Sequence, residues 1–270
     1  MIVSPLVCGT LGQRVAWHWG FGAAGIGMLL GLGMYLSGRR WLPKESARKT
    51  VEASRLSRRD VKTILVLVSL LPALALSSLG NQQVFNAYIV WGEAHYNLTA
   101  FGRAIPVTWL VSMDAFVGIA SLGGVVGFWR LWSRRWKEPD EIVKITIRTG
   151  IFALAPLILA LASVHEQSSG QKVSLLWGLS FHIINNIGFA MVCPVGLALF
   201  SRAAPTGATG LMTGFYYVNF FIANMIVGRI GALLESMSAV SFWTLHACLV
   251  GFGGMVLLVY AVFFRGLLAP

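Results

Sequence analysis

Residues 173–201 read VSLLWGLSFHIINNIGFAMVCPVGLALFS and contain no Asp, Glu, Lys or Arg across 29 positions. A helix that crosses the hydrocarbon core of a bilayer, which is roughly 30 Å thick, needs about 20 apolar residues, and this segment exceeds that length. Comparable uncharged segments occur at 15–38, 63–92, 203–228 and 236–264. We therefore predict an integral membrane protein whose spans are helices, because a helix satisfies its own backbone hydrogen bonds in lipid.

The composition agrees with a membrane location and argues against a nucleic-acid partner. Hydrophobic residues make up 56% of the 270 residues, charged residues only 11%, and the net charge is +11. Because the basic residues lie at the ends of apolar segments, we expect them to face anionic lipid rather than nucleic acid. The three cysteines are far apart and predict neither a disulfide framework nor a metal site, and no cofactor is predicted.

We predict an all-α polytopic fold with seven membrane helices in three parts. Residues 1–37 form an outer loop and the last helix of an N-terminal half, residues 38–62 a basic cytoplasmic linker, and residues 63–270 a six-helix C-terminal half. Gly and Pro residues mark several of the breaks between helices. The predicted spans are 16–37, 63–91, 105–130, 146–164, 173–200, 207–234 and 240–264.

The distribution of Lys and Arg predicts the orientation in the membrane. If the 39–62 segment is cytoplasmic, then all but four of the 21 basic residues lie inside, the exceptions being Arg14, Arg103, Lys172 and the intrahelical Arg229. This arrangement obeys the positive-inside rule. We therefore expect a protein of the inner (plasma) membrane with its N-terminus outside and its C-terminus in the cytoplasm.

The N-terminal segment does not resemble a signal peptide. Residues 1–15 contain Pro5, Gly9 and Gly12 but no basic start followed by a cleavage site. We interpret them as a loop entered from a preceding helix that this chain does not contain. The chain is thus expected to be the later part of a longer protein.

Polar residues inside the predicted spans are candidates for a solute or ion path, because burying them in lipid without partners is costly. The second span contains Asn81, Gln82, Gln83 and Asn86, whose amides either line a cavity or bond neighbouring helices. Asp114 in the third span is the best candidate proton carrier. The alternative is a carboxylate hydrated from an outer vestibule.

Two later spans add further polar candidates. His182 and Asn186 stand at positions i and i+4, so they share one face of the fifth span. Because histidine titrates near neutral pH, His182 is a candidate for solute binding and proton coupling, although packing is the alternative. Tyr216, Tyr217 and Asn224 interrupt the sixth span and are candidates for solute binding or ordinary packing.

The segment from Cys8 to Pro43 resembles the sixth helix of proton-dependent oligopeptide transporters, which are major-facilitator proteins. The similarity extends over nearly the whole chain in the family's order, through Trp109 and the segment from Gly188 to Pro205 to Gly228. Trp109, within this similarity, joins the candidate solute-binding residues. The matching positions are Gly9, Leu11, Gly12, Trp17, His18, Trp19, Gly20, Phe21, Gly22, Ala24, Gly25, Ile26, Gly27 and Met28; Ile105, Pro106, Thr108 and Trp109; Gly188, Pro194, Val195, Gly196, Leu197, Ala204 and Pro205; Met212, Gly214, Asn224 and Gly228.

The resemblance implies a twelve-helix fold of two six-helix halves, of which this chain would provide the sixth to twelfth helices. It also implies proton-coupled symport of oligopeptides or a related small solute by alternating access. The implied partners are a peptide-like solute, a proton, the lipid bilayer and the N-terminal half of the same protein.

Some family positions differ in this chain. Phe189 stands where a glutamate usually lies near the peptide's amino group, and Asn81 replaces the acid that commonly precedes the glutamine now at Gln82. The glutamine and asparagine of the eighth-helix segment become Val111 and Asp114. An ordinary dipeptide is therefore not the only solute to consider.

Other classes of protein fit the sequence less well. The last span has no lysine for a retinal Schiff base, and the spans show no HExxH motif and no nucleophile beside a base. These features argue against a retinal protein and against an enzyme. A seven-helix receptor-like protein and a membrane fragment without transport activity remain the alternatives.

Overall fold

The computed structural model describes residues 2–41, 57–100, 102–205, 208–264 and 266. Within these residues, seven helices are long and apolar enough to cross a membrane, which confirms the predicted class of fold. The strands β1 (Thr99–Ala100) and β2 (Arg103–Ala104) form a short antiparallel hairpin. The helices are α1 (Thr10–Arg14), α2 (Trp17–Gly38), α3 (Arg58–Gln82), α4 (Ala87–His95), α5 (Trp109–Trp132), α6 (Glu141–Ser169), α7 (Leu175–Arg202), α8 (Thr209–Gly231) and α9 (Ala239–Phe263).

Serine caps begin three of the spanning helices. At the start of α3, Asp60 N–H donates to Ser57 Oγ and Ser57 N–H donates to Asp60 Oδ2, which is a capping box. Ser174 and Ser238 accept backbone N–H groups at the starts of α7 and α9. Gly170 ends α6 in the left-handed conformation, at φ 67°, which glycine adopts without steric cost.

The six spanning helices from α3 onward pack into one bundle. Helix α6 packs against α7 and α9, α3 packs against α8 and α9, and α5 packs against α7. One apolar cluster, around Trp91 and Trp243, fills the end of the bundle near α4. A second cluster, around Leu67 and Phe200, fills the opposite end.

Helix α2 is mostly exposed and packs chiefly against residues 5–14. The contact is close at Gly20, where a Cβ atom would lie 2.6 Å from the carbonyl oxygen of Cys8. In the most apolar stretch of α2 only 6% of the residues are buried, compared with 67% in the span that contains α3. Most of the apolar surface of α2 is therefore available to lipid or to another helix.

The expectation that residues 1–15 form a loop is wrong. A π-helical turn covers Pro5–Gly9 and continues into α1. Contacts with the start of α5 hold this segment: Trp109 Nε1 donates to Thr10 Oγ1 at 2.9 Å, and Ser112 Oγ donates to the Ile2 carbonyl at 2.9 Å. These tertiary partners stabilise helical structure in a segment whose Pro and Gly content suggested otherwise.

The predicted single span over 63–91 is also wrong, because the chain breaks between α3 and α4. Residues Gln83–Phe85 form a 3₁₀ turn, and Asn86 leaves the helical conformation at φ −132° and ψ −108°. The Gln83 side chain takes over part of the backbone bonding, since its Oε1 accepts the N–H of Ala87 at 3.2 Å. Apolar periodicity alone gave no sign of this break.

The fourth predicted span, 146–164, is too short, because α6 extends from Glu141 to Ser169. Its added turns contain charged residues whose partners lie on neighbouring segments. Lys144 Nζ lies 2.6 Å from Glu138 Oε1, and Glu166 Oε2 lies 2.6 Å from His95 Nδ1. A helix can therefore continue past the limits of its uncharged segment.

The predicted linker, 38–62, lies largely outside the described residues, which cover only 38–41 and 57–62 of it. Pro43, Arg265 and position 207, where the sixth span was expected to begin, also lie outside the described residues. The division of the chain at this linker stays a prediction.

Candidate functional site

A cavity of about 830 Å³ lies on the side of the bundle formed by α3, α5 and α7. Its polar wall consists of Asn81, Gln82, Asp114 and Asn186, and thus unites candidates from three different spans. The rest of the wall is mainly apolar. Its remaining lining residues are Ile2, Val3, Phe85, Ala115, Gly118, Ile119, Leu122, Phe189 and Ala190.

Asp114 is the charged group of this wall, and two donors from α7 hold it. His182 Nδ1 and Asn186 Nδ2 both donate to Asp114 Oδ1, each at 2.8 Å. Asp114 is 7% exposed and His182 is fully buried. The structure thus supplies the donors that a carboxylate at this depth requires. Because His182 and Asn186 are four residues apart, both side chains lie on one face of α7 and can donate to the same oxygen of Asp114.

The hydrogen-bonded chain continues beyond His182 to α4. His182 Nε2 lies 3.0 Å from the hydroxyl oxygen of Tyr88, and that oxygen lies 3.4 Å from the hydroxyl of Tyr96. With its hydrogen on Nδ1, the neutral imidazole donates to Asp114 and leaves Nε2 free to accept a hydrogen. The Tyr88 hydroxyl, which donates to Tyr96 in this structure, supplies that hydrogen when it turns toward His182. Both tyrosines are buried. Sequence reasoning missed them, because an aromatic residue at the end of an apolar span also fits packing.

A second buried polar pair joins the α3–α4 break to α9. Gln83 Nε2 donates to His246 Nε2 at 2.8 Å, while His246 Nδ1 donates to the carbonyl of Phe242 at 2.8 Å. His246 was not among the predicted site residues, whereas Gln83 belongs to the run of amides between Asn81 and Asn86. Because His246 lies 163 residues further along the chain, the pairing had no sequence signal.

The remaining candidates lie away from the cavity wall or at its margin. Asn224 is at the margin, since its Nδ2 donates to Gln82 Oε1 at 3.2 Å. Asn86 instead donates to the Val227 carbonyl. Tyr216 is fully buried in the apolar cluster around Leu67, whereas Tyr217 is 52% exposed on α8. Trp109 is bonded to Thr10 at the start of α5.

A metal site has no support in the described part of the chain, where no three His, Cys, Asp or Glu side chains come together. The cavity combines amides with one carboxylate that has donors from His182 and Asn186. These groups can form hydrogen bonds with a polar solute.

A sequence profile of the Major Facilitator Superfamily matches residues 1–228, which is most of the chain. The chain belongs to the Major Facilitator Superfamily. The seven spanning helices described above are therefore helices of a superfamily member.

Individual relatives show which members of the superfamily this chain resembles. This superfamily member is 24% identical to the di-/tripeptide transporter of Lactococcus lactis subsp. lactis (strain IL1403), in an alignment that covers 96% of this chain and 64% of the relative. It is 22% identical to the peptide transporter YePEPT of Yersinia enterocolitica subsp. palearctica, covering 87% of this chain and 59% of the relative. The chain thus spans less than two thirds of the length of these relatives.

Solved structures show the same fold. A crystal structure of a peptide transporter POT in complex with sulfate superposes with a TM-score of 0.84 at 17% identity, covering all of this chain and 66% of that one. A POT family transporter bound to a thioalcohol-conjugated peptide gives 0.76 at 19% identity, covering 96% of this chain and 66% of that one. The resemblance to oligopeptide transporters, inferred from sequence, is confirmed.

Proposed function

We propose that this chain is part of a proton-coupled secondary transporter that moves peptide-like solutes by alternating access. Membership of a transporter superfamily favours transport over catalysis, and the relatives named above are peptide transporters. In such a transporter, solute and proton bind near the middle of the membrane between two helical halves. The cavity between α3, α5 and α7, with its polar wall, supports this proposal.

The observation that carries the proposal is the buried Asp114 on the cavity wall, bonded to His182 and Asn186. Adding a proton to the Asp114–His182 pair changes the charge of one wall of the solute cavity. A solute bound there therefore interacts differently with the protonated and unprotonated states. Such differential binding is what coupling requires, because a ligand shifts a conformational equilibrium only by its difference in affinity for the two states.

The amides of the wall support a solute with peptide-like groups. Asn81, Gln82 and Asn186 can each donate and accept hydrogen bonds, as peptide groups do. Among the described lining residues, the wall has one carboxylate and no Lys or Arg. Recognition of a solute carboxylate therefore falls to the other half of the transporter.

The second half is a partner in this proposal. A midplane site lies between two bundles, and the described residues provide one bundle with α2 beside it. The exposed apolar surface of α2 and α5 is available for that partner or for lipid. We propose that the protein lies in the plasma membrane with its N-terminus outside and its C-terminus in the cytoplasm, in line with the positive-inside rule.

The test is uptake by liposomes containing the protein as its gene encodes it, with any sequence that precedes residue 1. Acid outside should drive accumulation of a peptide-like solute, and Asp114→Asn should abolish or uncouple it. Glu93→Gln, which neutralises an exposed carboxylate on α4, is the control and should keep coupled uptake. Uptake that ignores the proton gradient would refute symport, and an unchanged pH dependence in Asp114→Asn would remove Asp114 from the mechanism.

A further inference from the structure

The Asp114–His182 pair is the inner end of a longer line of groups that can exchange protons. From Asp114 the line passes to His182 at 2.8 Å, to Tyr88 at 3.0 Å and to Tyr96 at 3.4 Å, crossing from α5 through α7 to α4. Asp114 lies on the solute cavity, whereas His182, Tyr88 and Tyr96 are buried behind it. Buried hydroxyls and imidazoles that are hydrogen-bonded one after another can relay protons through a membrane protein.

The chain keeps space for the two hydroxyls at Gly178 in α7. A Cβ atom at this position would lie 3.0 Å from the Tyr96 hydroxyl oxygen and 3.1 Å from that of Tyr88. Either contact is closer than a carbon and an oxygen ordinarily approach, so a larger residue would displace one or both hydroxyls. The absence of a side chain at Gly178 therefore permits the close approach of Tyr88 and Tyr96.

Tyr96 lies at the end of the bundle where polar groups reach the surface. It follows His95, whose Nδ1 lies 2.6 Å from Glu166 Oε2, and both of these side chains are partly exposed, at 33% and 22%. Tyr96 and Val173 pair in a short β-bridge that fixes this turn of chain. Burial raises the pKa of the Tyr96 hydroxyl, which therefore stays protonated.

We infer that Tyr96 and Tyr88 form a proton route to the Asp114–His182 pair from the end of the bundle where α4 ends, separate from the solute cavity. In this structure the Tyr88 hydroxyl donates to Tyr96, so the route first requires this hydroxyl to turn and donate to His182 Nε2. A proton arriving at the Tyr96 oxygen then releases the Tyr96 hydroxyl proton to the Tyr88 oxygen. The Tyr88 hydroxyl proton then passes to His182 Nε2. Both tyrosines end neutral, and the net change is one proton gained by His182, which becomes an imidazolium beside the Asp114 carboxylate.

The surroundings of His182 permit this transfer. The titratable groups that bond to His182 are Asp114 from α5 and Tyr88 from α4. On its own helix the Phe181 ring packs against it, and α9 presents the Trp243 ring to Tyr88. Within these contacts, Asp114 Oδ1 is the carboxylate oxygen that accepts the hydrogen bond of His182 Nδ1.

This inference rests on the proposed function, and the test separates the two. Tyr88→Phe and Tyr96→Phe keep the rings but break the route, so proton-driven uptake should slow by roughly tenfold or more, the range in which a positioned proton-transfer group contributes. Counterflow of solute, which needs no net proton movement, should stay within about twofold of the parent rate, because no reacting proton-transfer step is lost. Tyr260→Phe, which removes a hydroxyl bonded to Ser69 far from the cavity, should change neither rate.

A second pair of variants covers the case in which a tyrosine variant does not fold. Gly178→Ala should slow proton-driven uptake in the same direction, whereas Gly150→Ala, at a helical glycine with open space around it, should not. Equal loss of uptake and counterflow in both tyrosine variants, or full proton-driven uptake in both, would overturn the route.

A spectroscopic readout does not depend on transport. Infrared spectra of the chain in liposomes can follow formation of the His182 imidazolium after an acid jump on the side of the His95–Glu166 pair, with His182→Asn to assign the band. Formation should slow in Tyr96→Phe. If the parent protein transports nothing, the proposed function fails, yet this rate still decides the route: an unchanged rate in Tyr96→Phe overturns it.

Discussion

At the scale of single residues, Phe189 has the clearest consequence for the choice of solute. Its half-buried ring lines the cavity and packs near Phe220, at the position where oligopeptide transporters usually have a glutamate near the peptide's amino group. We expect Phe189→Glu to favour solutes with a free ammonium group by roughly tenfold over N-acetylated ones, because a charge-assisted hydrogen bond contributes about 1.5–3 kcal/mol. Competition for uptake by paired free and acetylated dipeptides measures the preference.

The matched control is Phe189→Gln, which has the same length as glutamate but no charge. Its preference between free and acetylated solutes should be the same as that of the parent protein. If the glutamate and glutamine variants show the same preference, then the wall at Phe189 does not contact the amino end of the solute.

At the scale of elements, the break between α3 and α4 is stabilised by one side chain. Gln83 accepts the N–H of Ala87 and donates to His246, so it both begins α4 and ties it to α9. Gln83→Ala leaves two buried polar groups without these partners, and each such group costs about 1–3 kcal/mol. We expect a clearly lower melting temperature in detergent, measured beside Gln167→Ala, an exposed residue of α6 that should melt like the parent.

The same variant tests how the break serves the site. Asn81 and Gln82 end α3 on the cavity wall, and Tyr88 begins the route behind it on α4. Melting of Gln83→Ala at the temperature of Gln167→Ala would mean that the break is held by the backbone and by Asn86 rather than by Gln83.

At the scale of the whole molecule, the distribution of charge predicts the orientation. Arg135 lies in the basic segment after α5, and Lys172 lies in the turn between α6 and α7, at the opposite end of α6. In a background without the three natural cysteines, Lys172→Cys should react with a membrane-impermeant thiol reagent added to intact cells, and Arg135→Cys only after permeabilisation. Both positions are exposed, so each serves as the accessibility control for the other. The reverse pattern of labelling would invert the proposed topology.

The sequence by itself determined the membrane class, the number of spans and most of their positions. Uncharged segments such as 173–201 exceed the thickness of the bilayer, and a chain in lipid must satisfy its backbone by forming helices. It also indicated Asn81, Gln82, Asp114 and Asn186, because polar groups in apolar spans require partners or water. These four residues lie together on one cavity wall. The resemblance to oligopeptide transporters likewise came from short motifs of Gly, Pro and Trp.

Only the tertiary structure decided which polar groups meet. Asp114 and His182 are 68 residues apart, and Gln83 and His246 are 163 apart, so each pairing depends on how helices pack and not on local periodicity. The same packing buries Tyr216 in an apolar cluster and places the Tyr88 hydroxyl beside the imidazole of His182. The break at Asn86 is likewise a tertiary effect, since the Gln83 side chain accepts the N–H of Ala87 and His246 of α9 bonds that same side chain.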